Sequence, residues 1–163
     1  NISKIIPESK LNQLIEMLFK GLVMQLTNQP VDLKIESWIY KNYPGLREIQ
    51  KISFESQLHE AIGGLNEKIK SITPSKIYEA SHSMNYAYFN VLAKETKFEL
   101  DPTYKEFEFE NKGKLLIEIM EKYENNFEGD LKRIDDWAKI LDLSSWYEWK
   151  KFEAVPSDYE YMI

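Results

Sequence analysis

The chain has 163 residues and a mass of 19.4 kDa, with 43% hydrophobic and 29% charged side chains and no cysteine. A chain of this size buries about 70% of its unfolded surface, enough for one core without covalent staples. The missing cysteine excludes disulfides, thiolate zinc sites and cysteine nucleophiles. A net charge of −6 with only two arginines, Arg47 and Arg133, argues against a phosphate-reading surface.

Five of the six prolines punctuate helical patterns: Pro7, Pro30, Pro44, Pro74 and Pro102. The first helix is expected over residues 7–27, on a stripe of Leu11, Leu14, Ile15, Leu18, Leu22 and Leu26. Met17, Phe19, Val23 and Met24 widen that stripe almost all round, which predicts central burial or burial against a partner. Pro30 is expected to start a second helix over 30–42, with Leu33, Trp38, Ile39 and Tyr40 on its apolar side. Asn42-Tyr43-Pro44-Gly45 is a turn signal. A third helix follows, with Phe54, Leu58, Ile62, Leu65, Ile69 and Ile72 in a near-heptad seam. Gly63-Gly64 predicts a kink there or a break into two helices.

Thr73 is expected to cap a fourth helix. Ile77, Ala80, Met84, Ala87 and Val91 form its core stripe, and Tyr78, His82, Tyr86 and Phe89 a second, aromatic one. Over 97–113, phenylalanines alternate with glutamates as in a half-buried strand. A lone strand has no partner, so irregular or short helical structure is expected instead. A fifth helix is expected over 114–127, and Asp130 is expected to cap a sixth that buries Leu131, Ile134, Trp137 and Leu141. Ser145 and Glu148 match a capping box for a last short helix, and 153–163 should form an extended tail. The fold class is therefore all-α, a single-domain irregular bundle of five to seven helices.

No segment reads as a membrane span, because the most apolar run, residues 14–26, contains Glu16, Lys20 and Gln25. No secretory-signal pattern opens the sequence, which makes the cytoplasm the default expectation. Residues 97–130 carry five lysines and ten acids, which reads as a solvated face or a surface for a basic partner.

The chemistry is sparse. His59-Glu60 opens like a helical zinc motif, yet Gly63 stands where the second histidine belongs. A metal site would need Glu36, His59, Glu60 and His82 to meet in space; otherwise His59 is a surface residue and His82 packs among its aromatics. Asp32 with Glu36, and Asp135-Asp136 beside Arg133, read as solvated faces. No nucleophile elbow, phosphate loop, dinucleotide fingerprint or calcium loop is present in the sequence.

The compositional oddity is aromatic. Trp146, Tyr147, Trp149, Phe152, Tyr159 and Tyr161 fall within the last 18 residues. Tyrosine and tryptophan anchor interfaces, and they also close cores. The expectation is a non-catalytic interaction or regulatory module, antitoxin-like or immunity-like in one form. It needs no cofactor and binds a protein partner through Trp146, Trp149, Tyr159 and Tyr161. The alternative is a metal-dependent hydrolase, or the helical part of one, built on Glu36, His59, Glu60 and His82.

Overall fold

In the computed structural model, residues 8–99 and 109–154 are described. Six helices pack round one hydrophobic core, with no strand among the described residues: α1 (Glu8–Asn42), α2 (Arg47–Gly63), α3 (Glu67–Ile72), α4 (Ser75–Thr96), α5 (Glu110–Met120) and α6 (Phe127–Ile140). Two short 3-10 turns, Pro44–Leu46 and Phe152–Ala154, complete the described elements. No helix among the described residues is long and apolar enough to cross a membrane.

The largest departure from the sequence pattern is at Pro30. It lies inside one 35-residue helix and does not begin a second. A proline there removes the hydrogen bond to the Leu26 carbonyl and costs about 3 kcal/mol. Leu22, Leu26, Leu33 and Pro30 itself are all buried on one face, and packing of that face offsets the loss. The outer faces of α1 are not covered: Met17 and Met24 are 61% and 62% exposed. No residue from Lys10 to Gly21 is fully buried, so the expected central burial of this helix fails over its first third.

Gly63-Gly64 does break the chain into α2 and α3, and Asn66 starts α3 by accepting from the Ile69 amide at 3.0 Å. Pro74, not Thr73, stands at the N-cap of α4. The core stripe of α4 holds, and its aromatic stripe is buried too, including Tyr78, His82, Tyr86 and Phe89. α4 ends at Thr96, where Lys97 adopts a left-handed backbone with φ 56°. α5 begins and ends earlier than expected, and α6 is capped by Asn126, not Asp130. Residues 145–151 are irregular where a capped helix was expected. The rest of the 97–113 question, residues 100–108, lies outside the described residues, as does most of the expected tail.

Hydrogen bonds and ion pairs fix the directions of the helices. Gln25 on α1 donates to the Ser81 carbonyl and to Asn85 Oδ1 on α4, and Lys41 pairs with Glu95 further along both, so α1 and α4 run parallel. Lys112 with Glu79 and Lys94 with Glu121 align α5 the same way. α6 runs back against α1: Lys34 meets Asp130 near its start, while Trp146 just beyond its end stacks on Phe19. α1, α4, α5 and α6 thus close a four-helix ring, each packed on the next. α2 folds back along the end of α1, held by Gln50 Nε2 donating to the Glu36 carbonyl and side chain.

Arg133 organises the turn between α5 and α6. It is buried, and all five of its N–H donors are used. They reach the carbonyls of Met120, Tyr123 and Glu124, and the side chains of Asp130 and Asn125. The side chain thereby satisfies the Met120 carbonyl that the end of α5 leaves orphaned and two carbonyls of the turn, Tyr123 and Glu124. Gly129 lets the turn close, because a Cβ there would lie 2.0 Å from the Glu124 carbonyl oxygen. This corrects the reading of Arg133 with Asp135 and Asp136 as a solvated face. Asp136 accepts from the Tyr123 hydroxyl and from Lys122 and Lys139. Asp135 accepts from the Tyr147 hydroxyl at 2.7 Å and Trp149 Nε1 at 2.9 Å.

Candidate functional site

Of the aromatic residues expected to bind, Trp146 is half-buried against the core. Its ring stacks on Phe19 with centroids 5.3 Å apart, and Lys76 Nζ sits 5.8 Å from its ring centroid. Trp149 is more open, packed edge-on against Tyr147 and tied to Asp135. Burial, then Asp135, raises the Tyr147 hydroxyl pKa above the usual tyrosine range. Tyr159 and Tyr161 lie outside the described residues. Tyr147 and Trp149 are therefore latched onto α6 through one carboxylate, while Trp146 packs on α1.

The four residues of the metal alternative sit in different settings. His59 and Glu60 are exposed on α2. His82 is buried on α4 between the rings of Tyr78, 4.4 Å away, and Phe109, 5.4 Å away. Glu36 accepts from Gln50 at 2.5 Å and is partly covered, so its pair with Asp32 is not simply solvated. Burial, then Glu36, raises the Asp32 pKa, and burial, then the same two carboxylates, raises that of Tyr88. Among the described residues no three histidines or carboxylates gather as a metal site.

A concavity among the described residues lies elsewhere. α6 begins opposite Lys34, but α1 continues to Asn42, so the last two turns of α1 have no α6 beside them. The space left between α1, α4 and α5 is a groove of about 530 Å³. Leu33, Val91, Ile117 and Met120 give it an apolar lining. Trp38 joins that lining, half exposed, its ring edge-on to Tyr43 at 5.3 Å. Ser37, Asn90 and Asn125 supply the uncharged polar groups. Asn125 is held by Arg133, which connects the buried guanidinium to the shape of the groove.

Three ion pairs between helices frame it: Lys34–Asp130 at 2.5 Å, Lys41–Glu95 at 2.7 Å and Lys94–Glu121 at 2.8 Å. The hydrogen bond between Lys94 and Glu121 raises the lysine pKa and lowers the glutamate's, so both stay charged at neutral pH. The more exposed pairs, Lys41–Glu95 and Lys94–Glu121, contribute about 0–1 kcal/mol each, so an incoming charged group re-pairs them at little cost, whereas Lys34–Asp130 is largely covered. The lining carries one hydroxyl, Ser37, with the carboxylates of Glu95 and Glu121 and the ammonium groups of Lys34, Lys41 and Lys94.

The sequence named Leu33 and Trp38 as an apolar side but gave no sign of a groove. That feature depends on where α6 starts relative to α1, a distance between elements that no local pattern encodes. No family model, curated protein or solved structure matches the chain.

Proposed function

We propose that the protein is a non-catalytic interaction module that takes an apolar segment of a protein partner into the groove between α1, α4 and α5. One observation carries this reading: a groove of about 530 Å³ combines an apolar lining and a half-exposed tryptophan with a frame of exchangeable ion pairs. Binding clefts have this size and this mixture of surfaces. Trp38 is the natural anchor, because a large rigid ring buries area with little loss of side-chain freedom. Lys41 and Lys94 on one hand, and Glu95 and Glu121 on the other, offer either charge to groups flanking the inserted segment.

A photo-crosslinking residue at Met120, in the groove, tests the reading, with Phe127 as the exposed control outside it. Adducts with a second protein should form at Met120, not at Phe127, and disappear when Ile117→Glu places a charge in the lining. Equal adducts at both positions, or adducts that survive Ile117→Glu, contradict it.

A further inference from the structure

Three helices each turn polar residues to one seam. On α1 these are Gln25, Gln29, Asp32 and Glu36, at i, i+4, i+7 and i+11. On α4 they are Ser81, Asn85 and Tyr88, at i, i+4 and i+7. That spacing keeps each set on one face of its helix. On α2 they are Gln50, Gln57 and Glu60. Gln25 bonds Ser81 and Asn85, Gln29 bonds Asn85, and Gln50 bonds Glu36, which brings the sets together. Between them lies a pocket of about 300 Å³ that shares no residue with the groove. Its polar lining is Gln25, Gln29, Gln57, Glu60 and Asn85, with the rings of Tyr88 and Phe89 beside them.

The hydrogen bonds fix which way each amide points. The Ser81 carbonyl can only accept, so Gln25 turns Nε2 to it at 3.1 Å. The same Nε2 reaches Asn85 at 2.8 Å, so Asn85 presents Oδ1, and Gln29 gives that oxygen its own Nε2 at 3.0 Å. Gln29 Oε1 is left buried with no hydrogen-bond partner among the described residues. Gln50 behaves alike. Its Nε2 meets the Glu36 carbonyl and carboxylate, and its Oε1 is left buried and unpartnered in the same sense. The two amide dipoles add their negative ends to the charges of Asp32, Glu36 and Glu60. Tyr88 stands in this field: burial, then Glu36 and Asp32, raises its hydroxyl pKa. No lysine or arginine belongs to any of the three sets. Surplus acceptors with no cation among them suit a cationic donor. They are spread too widely for a metal ion, since among the described residues no three carboxylates or histidines gather.

We propose that this pocket binds a linear aliphatic diammonium ion, one ammonium at Glu60, the other at Asp32 and Glu36, and the methylene chain along Tyr88 and Phe89. The spacing fits. α2 runs back along α1 from the contact of Gln50 with Glu36, so Glu60, ten residues on, is level with Leu26 of α1. Asp32 lies six residues from that level, about 9 Å along the helix axis. A four-carbon diamine covers this with a charge-assisted hydrogen bond of about 2.8 Å at each end. A single amine leaves one end unpaired, and a neutral diol brings charge to neither. The proposal does not rest on the groove reading, which is tested on α5.

The test is titration of the isotope-labelled chain with 1,4-diaminobutane at constant ionic strength, read by NMR at the side-chain NH2 groups of Gln25, Gln29, Gln57 and Asn85. These signals should shift and saturate, while those of Asn42 and Asn66, outside the pocket, stay still. 1-Aminobutane should bind at least about tenfold more weakly than the diamine, and 1,4-butanediol should give no saturable shift. Glu60→Gln and Asp32→Asn replace exposed carboxylates, one at each end, and should leave the fold unchanged. Each should bring the diamine down towards the affinity of the monoamine. Absence of a saturable shift overturns the proposal, as does a monoamine or diol that binds as well as the diamine. Diamine affinity unchanged by either substitution overturns it too, and so does magnesium chloride that reproduces the shifts.

Discussion

α1 and α4 are the two longest helices, and both carry apolar residues round most of their circumference. α4 is wrapped by α1 on one side and α5 on the other, and even its polar residues His82, Ser83 and Thr96 are buried. α1 is covered along one stripe only, leaving Met17, Met24, Ile35 and Trp38 in the open. The difference teaches that an apolar circumference sets how much surface a helix could bury, while its neighbours set how much it does bury. The wrapped side of the molecule holds the fold together, and the open side contributes little to it.

The sharpest way to break this division is to weaken the wrapped side at its most connected residue. Arg133→Met keeps most of the volume but leaves the carbonyls of Met120, Tyr123 and Glu124 without their donor. It should cost about 3–5 kcal/mol in a denaturant melt, the range for removing one partner of a buried charged network. A loss below about 1 kcal/mol would show that water satisfies the turn equally well.

A matched pair of methionines compares the two sides directly. Met84 on α4 is fully buried, and Met84→Ala should cost about 2–5 kcal/mol. Met24→Ala on α1 should stay within about 0.5 kcal/mol at concentrations where the chain is monomeric. Similar losses at both positions would mean that the outer face of α1 is covered in solution. A pair of glycines sharpens the same contrast through the sign of the effect. A Cβ at Gly113 would come within 2.3 Å of Tyr86 Cδ1, at the contact of α5 with α4. Gly113→Ala should therefore cost about 1–3 kcal/mol by overpacking. Gly21→Ala meets open space inside a helix and should stabilise the monomer by about 0.5–1 kcal/mol. Urea melts of the two variants check both signs.

How far the sequence foretold this division depends on the residue. The paired stripes of α4 mark its helix and core positions because 3.6-residue periodicity is local information, whereas of the near-heptad seam only Phe54 and Leu58 are buried and Ile69 and Ile72 on α3 are exposed, because no neighbouring helix covers them. Pro30 misled because its local cost is real, yet burial on the Leu22–Leu33 face outweighs it. Asp135 looked solvated because its partners, Tyr147 and Trp149, lie beyond the end of α6 and reach it only through the fold. The aromatic surplus in the C-terminal segment was visible, but not that Trp146 would spend its ring on Phe19. The groove was invisible for a similar reason, since it is a mismatch in reach between α1 and α6.

The smallest expected effect is a pH dependence on the wrapped side. Hydrogen bonds from Lys139, Tyr123 and Lys122 hold the Asp136 carboxyl well below the usual aspartate range. The unfolded chain takes up this proton near pH 4, before the folded chain does. Asp136 therefore contributes its full stabilisation above that pH and loses it progressively as the pH falls towards the folded value. Asp136→Asn should lower the melting temperature at pH 7 and flatten its decline below pH 4. An unchanged slope would show that the carboxylate is as well solvated folded as unfolded.

Amide hydrogen exchange at a concentration where the chain is monomeric tests the division between the two sides most directly. Amides of α4 should exchange only through global unfolding, while those of the first third of α1, up to Gly21, should exchange faster through local opening. Equal protection of both helices in the dilute monomer would contradict the division, because the outer face of α1 would then be as tightly held as the core.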